Sequence, residues 1–306
     1  MSSFTIGLDL GGTNLRAAAF SADGDMLHQV SRPTDVNSGR EAMVNNMVEA
    51  INTLRRTYAH LDLLGVGIGV PGFIRLREGV ILGSNNLKPL EDFPLRDAIS
   101  QKLGTPVILE NDANAAALGE KWHGAGRDVN DLVLFTLGTG VGGGIINHGR
   151  VVHGIDGMAG ELGHITVVPD GNPCDCGNRG CLEKHASAMA LISMAKLIRL
   201  GDDLTAVEVA QFARDGDPRA LQIFDSMGRA LGIALATVIN VFNFPLYLLS
   251  GGLLPTWDLF APAMMAEVKT RSFTYRNSHV RIEQATLGNQ AGLYGAAYLP
   301  HLPPPD

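Results

Sequence analysis

Four residues constrain this chain more than any others: His164, Cys174, Cys176 and Cys181, which include every cysteine present and fall within eighteen residues. Three thiols and an imidazole at that spacing suit a closed tetrahedral zinc site, because Zn²⁺ takes sulfur and nitrogen ligands and a structural site leaves no position open. Gly171, Pro173, Gly177 and Gly180 let so short a segment curl round one ion, which a helix or strand could not do. The competing arrangement is three unrelated thiols, one of them in a disulfide; three cysteines in eight residues argue against chance. A loop pinned by metal also fixes what its ends carry. Glu161 and Glu183 stand there, and carboxylates at set positions are what a polyhydroxylated ligand requires, although two glutamates near such a loop are most often surface charges.

The remainder must supply a core. With 306 residues, 45% of them apolar, the chain is long enough for one large or two moderate domains, and two are expected. A net charge of −7 and no basic block argue against a general polyanion binder, so no nucleic-acid partner is expected. Met1 to Phe4 leads into an apolar strand without a charged n-region, a long h-region or a twenty-residue apolar span. The expected location is therefore the cytoplasm, with no membrane partner, and its reducing conditions suit thiolate ligands.

Phe4 to Leu10 has strand character, Gly11-Gly12 break it, Asn14 to Phe20 resume it and Ala22 to Asp25 turn again, which reads as a hairpin or meander. A strand ending in Asp9 and a glycine pair can bring backbone N–H groups against phosphate oxygens. Alone this signal is no better than a tight turn. Phe135 to Ile146 repeats it around Gly138-Thr139-Gly140, about half a chain later, the mark of a duplicated domain. Neither copy is a Walker A or a Gly-x-Gly-x-x-Gly crossover motif.

Arg40 to His60 is expected as a helix with the core stripe Met43, Met47, Ile51, Leu54 and Tyr58. Leu64 to Val70 is expected as a buried strand whose small residues suit close packing or a nearby ligand. Asn85-Asn86-Leu87 lies in a polar loop. Phe93 to Leu103 is a helix, Pro106 to Leu109 a strand, and Ala113 to Trp122 an alanine-rich helix. Asp112, between that strand and helix, is either a catalytic group at a strand's carboxyl end or the helix N-cap. Further helices are expected over Glu183 to Leu200, Thr205 to Arg214 and Asp217 to about Asn243, the last with the face Leu221, Phe224, Leu231, Leu235, Val238 and Phe242. Leu246 to Leu249 is a strand leading to a third glycine turn, Ser250-Gly251-Gly252. Val280 to Ala285 is a strand and Gln290 to Tyr298 a helix, and the tail from His301 to Asp306 is expected to be disordered.

Taken together these motifs resemble the ROK family of sugar kinases and related repressors, within the actin-like ATPase superfamily, and among its members the bacterial glucokinases most. Asp9-Leu10-Gly11-Gly12-Thr13 is similar to the family's first phosphate motif, Leu137-Gly138-Thr139-Gly140 to its second, Gly154 to His164 to its signature, and Cys174 to Glu183 to its zinc loop. The resemblance runs from Gly7 to about Gly295. It implies an α/β, two-lobed actin-like ATPase (ribonuclease H-like) fold with duplicated βββαβα domains and an active-site cleft between them. The lobes would be residues 1–118 and 119–306, with a C-terminal helix at about 289–300 packing back on the first.

The implied activity is ATP-dependent phosphorylation of glucose at the 6-hydroxyl, with Mg²⁺ and structural Zn²⁺ as cofactors and a homodimer as the expected assembly. Asp112 would be the catalytic base. Asn86, Asn111, Glu161, His164 and Glu183 would bind sugar hydroxyls, His164 serving metal and sugar through its two ring nitrogens. Gly11, Gly12, Thr13, Gly138 and Thr139 would hold the ATP phosphates, Asp9 would lie near Mg²⁺, and Gly251 and Gly252 would approach the adenosine. Ser250 departs from the family, many members of which carry glycine there.

Phosphoryl transfer asks for positioning and charge neutralisation more than covalent work. No Lys or Arg sits inside either turn, so backbone N–H groups would carry much of that stabilisation. The resemblance allows three other readings. A ROK repressor would place a helix-turn-helix ahead of the first motif, where eight residues precede Asp9. A non-catalytic sugar-binding protein would be expected to lose Asp112 or a phosphate turn. A kinase for N-acetylmannosamine, fructose, mannose or allose would share these motifs.

Overall fold

A computed structural model describes residues 3–84 and 87–303. Strands β1 (Ser3–Leu10), β2 (Asn14–Ser21) and β3 (Met26–Pro33) form the expected meander, β2 antiparallel to both neighbours. After α1 (Arg40–Thr57) the chain adds β4 (Asp62–Val70) parallel to β1. The small hairpin β5 (Phe73–Arg75) and β6 (Val80–Gly83) and helix α2 (Leu95–Leu103) follow. Then come β7 (Val107–Asn111), parallel to β4, and α3 (Asp112–His123). The sheet order is β3-β2-β1-β4-β7.

The second half repeats the plan. It runs β8 (Leu132–Leu137), β9 (Val141–Asn147) and β10 (Arg150–Val151), then the cysteine segment and α4 (Glu183–Ala186), α5 (Ala188–Leu197), α6 (Ala206–Arg214) and α7 (Pro218–Phe242). It closes with β11 (Leu246–Ser250), α8 (Trp257–Arg271), α9 (Phe273–Asn277), β12 (Arg281–Gln284) and α10 (Ala291–Tyr298). The order is β10-β9-β8-β11-β12, with β8, β11 and β12 parallel. Two sheets of one order, each a meander extended by parallel strands across helical connections, are the duplicated actin-like ATPase pattern.

By its contacts the chain falls into two compact units. Unit 1 comprises Met1–Asn130, Gly144–Gly160 and Thr286–Asp306, and unit 2 comprises Asp131–Gly143 and Glu161–Ala285. In unit 1, α10 packs on α3, β1 and β4 at backbone distance. A Cβ on Gly67 would lie 1.9 Å from the carbonyl oxygen of Ala296, and one on Gly119 would lie 2.1 Å from that of Ala291. The small residues of β4 therefore serve close helix packing. The α1 stripe Met43, Met47, Ile51 and Leu54 is fully buried with β1 and β4 in one core. Glu120 is also fully buried, and its carboxylate accepts N–H groups from Ala125 at 2.8 Å, Thr286 at 3.1 Å and Leu287 at 2.8 Å, fixing the approach to α10.

In unit 2, α7 has the length and apolar composition of a membrane span, but most of its apolar window is buried, chiefly against α8. Its buried stripe includes Phe224, Leu231, Leu235 and Val238, whereas Leu221 is 44% exposed because it sits off the Ala220–Ile223–Phe224 face.

Two expectations need correction, and one stretch had none. The single helix over Glu183 to Leu200 is two, because Ser187 is extended and its hydroxyl accepts the N–H of Ala190 at 3.1 Å, starting a new helix. His301 is not disordered: it closes a 3-10 turn and packs on Trp122 with ring centroids 5.5 Å apart; the expectation for residues 304–306 lies outside the described residues. Residues 257–277, unassigned from sequence, form α8 and α9, with Pro262 inside α8.

Candidate active site

In unit 1 the Gly11–Thr13 turn, expected to hold phosphate, is tied from two sides. Gly11 donates its N–H to the carbonyl of Asn14 at 3.0 Å, and the Thr34 hydroxyl donates to the carbonyl of Gly11 at 2.5 Å. A Cβ on Gly11 would stand 2.8 Å from the Asn14 oxygen, so glycine is required there. Gly12 and Thr13 are exposed. Asp9 faces Arg16 directly across the β1–β2 ladder, and the Arg16 guanidinium donates to its carboxylate at 2.5 Å. Sequence reading missed this cation; folding the hairpin about Gly11–Thr13 would have set Arg16 opposite Asp9.

Register carries the edge onward. Asp9 pairs with Gly69 and Gly69 with Glu110, so β1, β4 and β7 bring their carboxyl ends to one edge, where parallel sheets bind ligands. Two strand spacings put Asp9 and Glu110 about 10 Å apart. Asn111 and Asp112 follow there. The cap considered for Asp112 belongs to Asn111, whose backbone is extended and whose Oδ1 accepts the N–H groups of Ala113 at 2.9 Å and Asn114 at 3.2 Å. Asn111 Nδ2 donates to the carbonyl of Gly72 at 3.2 Å. Asp112 is the first helical residue, its Oδ1 accepting the N–H of Ala113 at 2.9 Å, and a negative side chain suits the first turn of a helix. Asn86 lies outside the described residues.

In unit 2 the second turn is gripped differently. Gly138 donates its N–H to the carbonyl of Gly140 at 2.9 Å, the N–H of Ala188 at the start of α5 reaches the carbonyl of Gly138 at 2.9 Å, and Glu183 Oε2 accepts the N–H of Val141 at 3.0 Å. Thr139 is exposed. The end of β11 lies alongside, Ser250 in register with Thr136 and the N–H of Leu253 on the carbonyl of Leu137 at 3.1 Å. Gly251 has φ 102°, and a Cβ there would meet the Leu137 oxygen at 2.3 Å. The Gly138–Gly140 turn and the Gly251–Gly252 turn thus share one edge, and only glycine fits position 251.

The four sulfur and nitrogen donors lie within 4.8 Å of one another, and all three cysteines are free. His164 Nδ1 is 3.6 Å from Cys174 Sγ, and Cys176 Sγ is 3.7 Å from Cys181 Sγ. Tetrahedral zinc with Zn–S of about 2.3 Å needs sulfurs about 3.8 Å apart. The donor set fits zinc. Without the ion, burial pushes the Cys181 thiol up to about 12, so binding a metal must release protons.

With Nδ1 on the cysteines, His164 turns Nε2 toward Glu161, 3.9 Å from its Oε2. The Glu161 carboxyl is raised above the usual carboxylate range, first by partial burial and further by Glu183, with His164 opposing. Unit 2 therefore brings Glu161, His164 and Glu183 into one electrostatic group beside the metal donors.

The model of the ROK family matches residues 5–302. The chain belongs to the ROK family. It is 37% identical to a glucokinase of Halalkalibacterium halodurans over 312 residues, covering 96% of this chain and 94% of that one. Among solved structures, a ROK hexokinase from Thermus thermophilus is 34% identical with a TM-score of 0.86, covering 96% of each chain. A ROK family glucokinase from Streptomyces griseus in complex with glucose and AMPPNP is also 34% identical, with a TM-score of 0.78, covering 97% of this chain and 98% of that one.

Proposed function

We propose that this ROK sugar kinase transfers the γ-phosphoryl group of ATP to the 6-hydroxyl of glucose, giving glucose 6-phosphate and ADP. The observation that carries the reading is Asp112 itself: a carboxylate at the carboxyl end of β7, on the sheet edge that bears the first phosphate turn, with the helix cap supplied by its neighbour Asn111. The glucokinase from Streptomyces griseus that holds glucose and AMPPNP supports both ligands.

Asp112 accepts the hydroxyl proton as the oxygen–phosphorus bond forms, since the alcohol becomes acidic only then. Asn86, Asn111, Glu161, His164 and Glu183 orient the sugar, His164 through Nε2 while Nδ1 holds zinc. Gly12, Thr13 and Thr139 present backbone N–H groups to the phosphates from turns whose shape Gly11 and Gly138 set through their own N–H bonds to Asn14 and Gly140, and Gly251 and Gly252 admit the adenosine. The Asp9 carboxylate is a hard oxygen donor at the first turn and suits Mg²⁺, which when bound neutralises charge on the phosphates. Zinc is structural.

Asp112→Asn tests the base. The cap at Asn111 is untouched, so folding and both ligand affinities should persist while kcat falls by roughly 10²–10⁴-fold. A variant with near wild-type kcat would remove Asp112 from the chemistry. A panel of hexoses in a coupled ADP-release assay should give glucose the highest kcat/KM; faster turnover of N-acetylmannosamine, mannose, fructose or allose would overturn the substrate assignment.

A further inference from the structure

Immediately before Asn111 stands Glu110, 3% exposed, and three contacts converge on its carboxylate. Oε1 accepts the backbone N–H of Asn111 at 2.9 Å and the side-chain amide of Asn114 at 3.1 Å, while Oε2 lies 2.7 Å from His153 Nε2. A buried carboxylate is costly unless it is paired and hydrogen-bonded, and here it is both. Burial pulls the His153 imidazole down, but the hydrogen bond and charge of Glu110 outweigh it and hold its pKa above the ordinary value. Arg96 of α2 and Arg150 of β10 line the same cavity of about 410 Å³ as that imidazole.

Glu110 therefore grips the chain on both sides of Asp112: at the amide leaving the strand and, one helical turn later, at Asn114. With the carbonyl of Gly72 holding Asn111 from a third direction, residues 110–114 have little freedom, and Asp112 inherits its place from them. We propose that Glu110 and His153 are positioning residues for the reaction, a paired clamp that sets the Asp112 carboxylate against the sugar hydroxyl. This rests on reading Asp112 as the base. An ion pair that merely held the unit together would lower stability when cut and leave turnover per folded molecule alone. A clamp acting through Asp112 would lower kcat per folded molecule while leaving the ATP site intact, with Asn111 loosened alongside the base.

The test uses His153→Ala, His153→Gln, Asp112→Asn and the double variant His153→Ala/Asp112→Asn, each on the full chain. For His153→Ala, kcat for glucose should fall by about 10- to 100-fold, as a misplacement near 1 Å costs, while KM for ATP stays within about threefold. His153→Gln keeps an N–H donor and should recover most of that loss. Amide hydrogen exchange should quicken at residues 111–114 in His153→Ala and stay slow in His153→Gln. Because the clamp works through Asp112, adding His153→Ala to Asp112→Asn should cost less than about twofold more. Full multiplication of the two losses, or wild-type kcat in His153→Ala while Asp112→Asn is inactive, would overturn the clamp and leave the base reading standing. Wild-type kcat in Asp112→Asn would instead overturn the base reading, and the clamp with it.

Discussion

Cys176→Ser should separate the two ligands of the proposed reaction. Cys176 is the exposed member of the metal set, so replacing it removes a thiolate without opening the core, and zinc should fall below one per chain. The loop then loosens at both ends, but its ends are held unequally. Glu183 keeps the N–H of Val141 at 3.0 Å, whereas the basic group beside Glu161 is the imidazole of His164, 3.9 Å away, which is itself a metal ligand in this reading. The loss should therefore fall on Glu161. One charge-assisted hydrogen bond to a sugar hydroxyl contributes about 1.5–3 kcal/mol, which is roughly 10- to 150-fold in glucose affinity. The second phosphate turn retains its contacts from Gly138 to Gly140 and from Ala188 to Gly138. A weakened Glu183 contact there costs no more than about 1 kcal/mol, near fivefold in nucleotide affinity. Calorimetric titration with glucose and, separately, a non-hydrolysable ATP analogue would measure both, after circular dichroism shows the variant folded and metal analysis shows zinc lost. Equal losses for the two ligands would mean that zinc only stabilises unit 2. Unchanged glucose affinity in zinc-free protein would mean that the loop does not shape the sugar site.

Glu120→Ala should destabilise the protein by about 1–3 kcal/mol in urea unfolding, since the partly exposed N–H donors of Ala125, Thr286 and Leu287 lose a charged acceptor; a change below about 0.5 kcal/mol would show that water replaces the carboxylate. Gly67→Ala puts a methyl 1.9 Å from a backbone oxygen of α10 and should cost about 1–3 kcal/mol, read as a lower Tm; an unchanged Tm would contradict the packing of α10 on β4. His153 has its folded pKa raised by Glu110, so its stabilising contribution is complete below the unfolded value near 6.5 and is lost as pH rises through the folded pKa. Stability measured from pH 6 upward should decline less steeply in Glu110→Gln than in the parent protein, and identical slopes would rule out the pair as the source.

What the sequence made legible was whatever depends on backbone demands or on ligand chemistry. Gly11 and Gly251 sit where a Cβ would strike a carbonyl, so those turns announce themselves. The cysteine cluster is a donor inventory readable without a fold. The meander, the crossover helices and the core stripe of α1 follow from periodicity. What stayed hidden were partners joined by tertiary register: Arg16 on Asp9, His153 on Glu110, Glu183 on Val141 and Glu120 on Thr286. Each joins a long side chain to a group that local sequence does not place. The split at Ser187 was missed because an apolar run continues through it, and α8 because its apolar residues spread round the helix and Pro262 interrupts the pattern.

The two phosphate turns are copies in sequence, yet different chemistry holds them, and this bears on what each offers. At the first, the N–H of Gly11 is committed to Asn14, which leaves the exposed Gly12–Thr13 edge facing outward, with the Arg16 cation two strand positions past the turn. At the second, the N–H groups of Gly138 and Val141 are committed to Gly140 and Glu183, leaving exposed Thr139, and the nearest charge is the Glu183 carboxylate. A carboxylate repels phosphate and suits a neutral, hydroxyl-rich ligand; a guanidinium does the reverse. Arg16 lies on the sheet edge that also bears Asp112, and its charge is matched there by the Asp9 carboxylate, so the first turn carries an ion pair where the second carries a lone carboxylate. The duplicated halves have thus diverged in charge rather than backbone. The first turn carries an Arg16–Asp9 pair, and the second is the platform to which the metal-donor loop fastens Glu183.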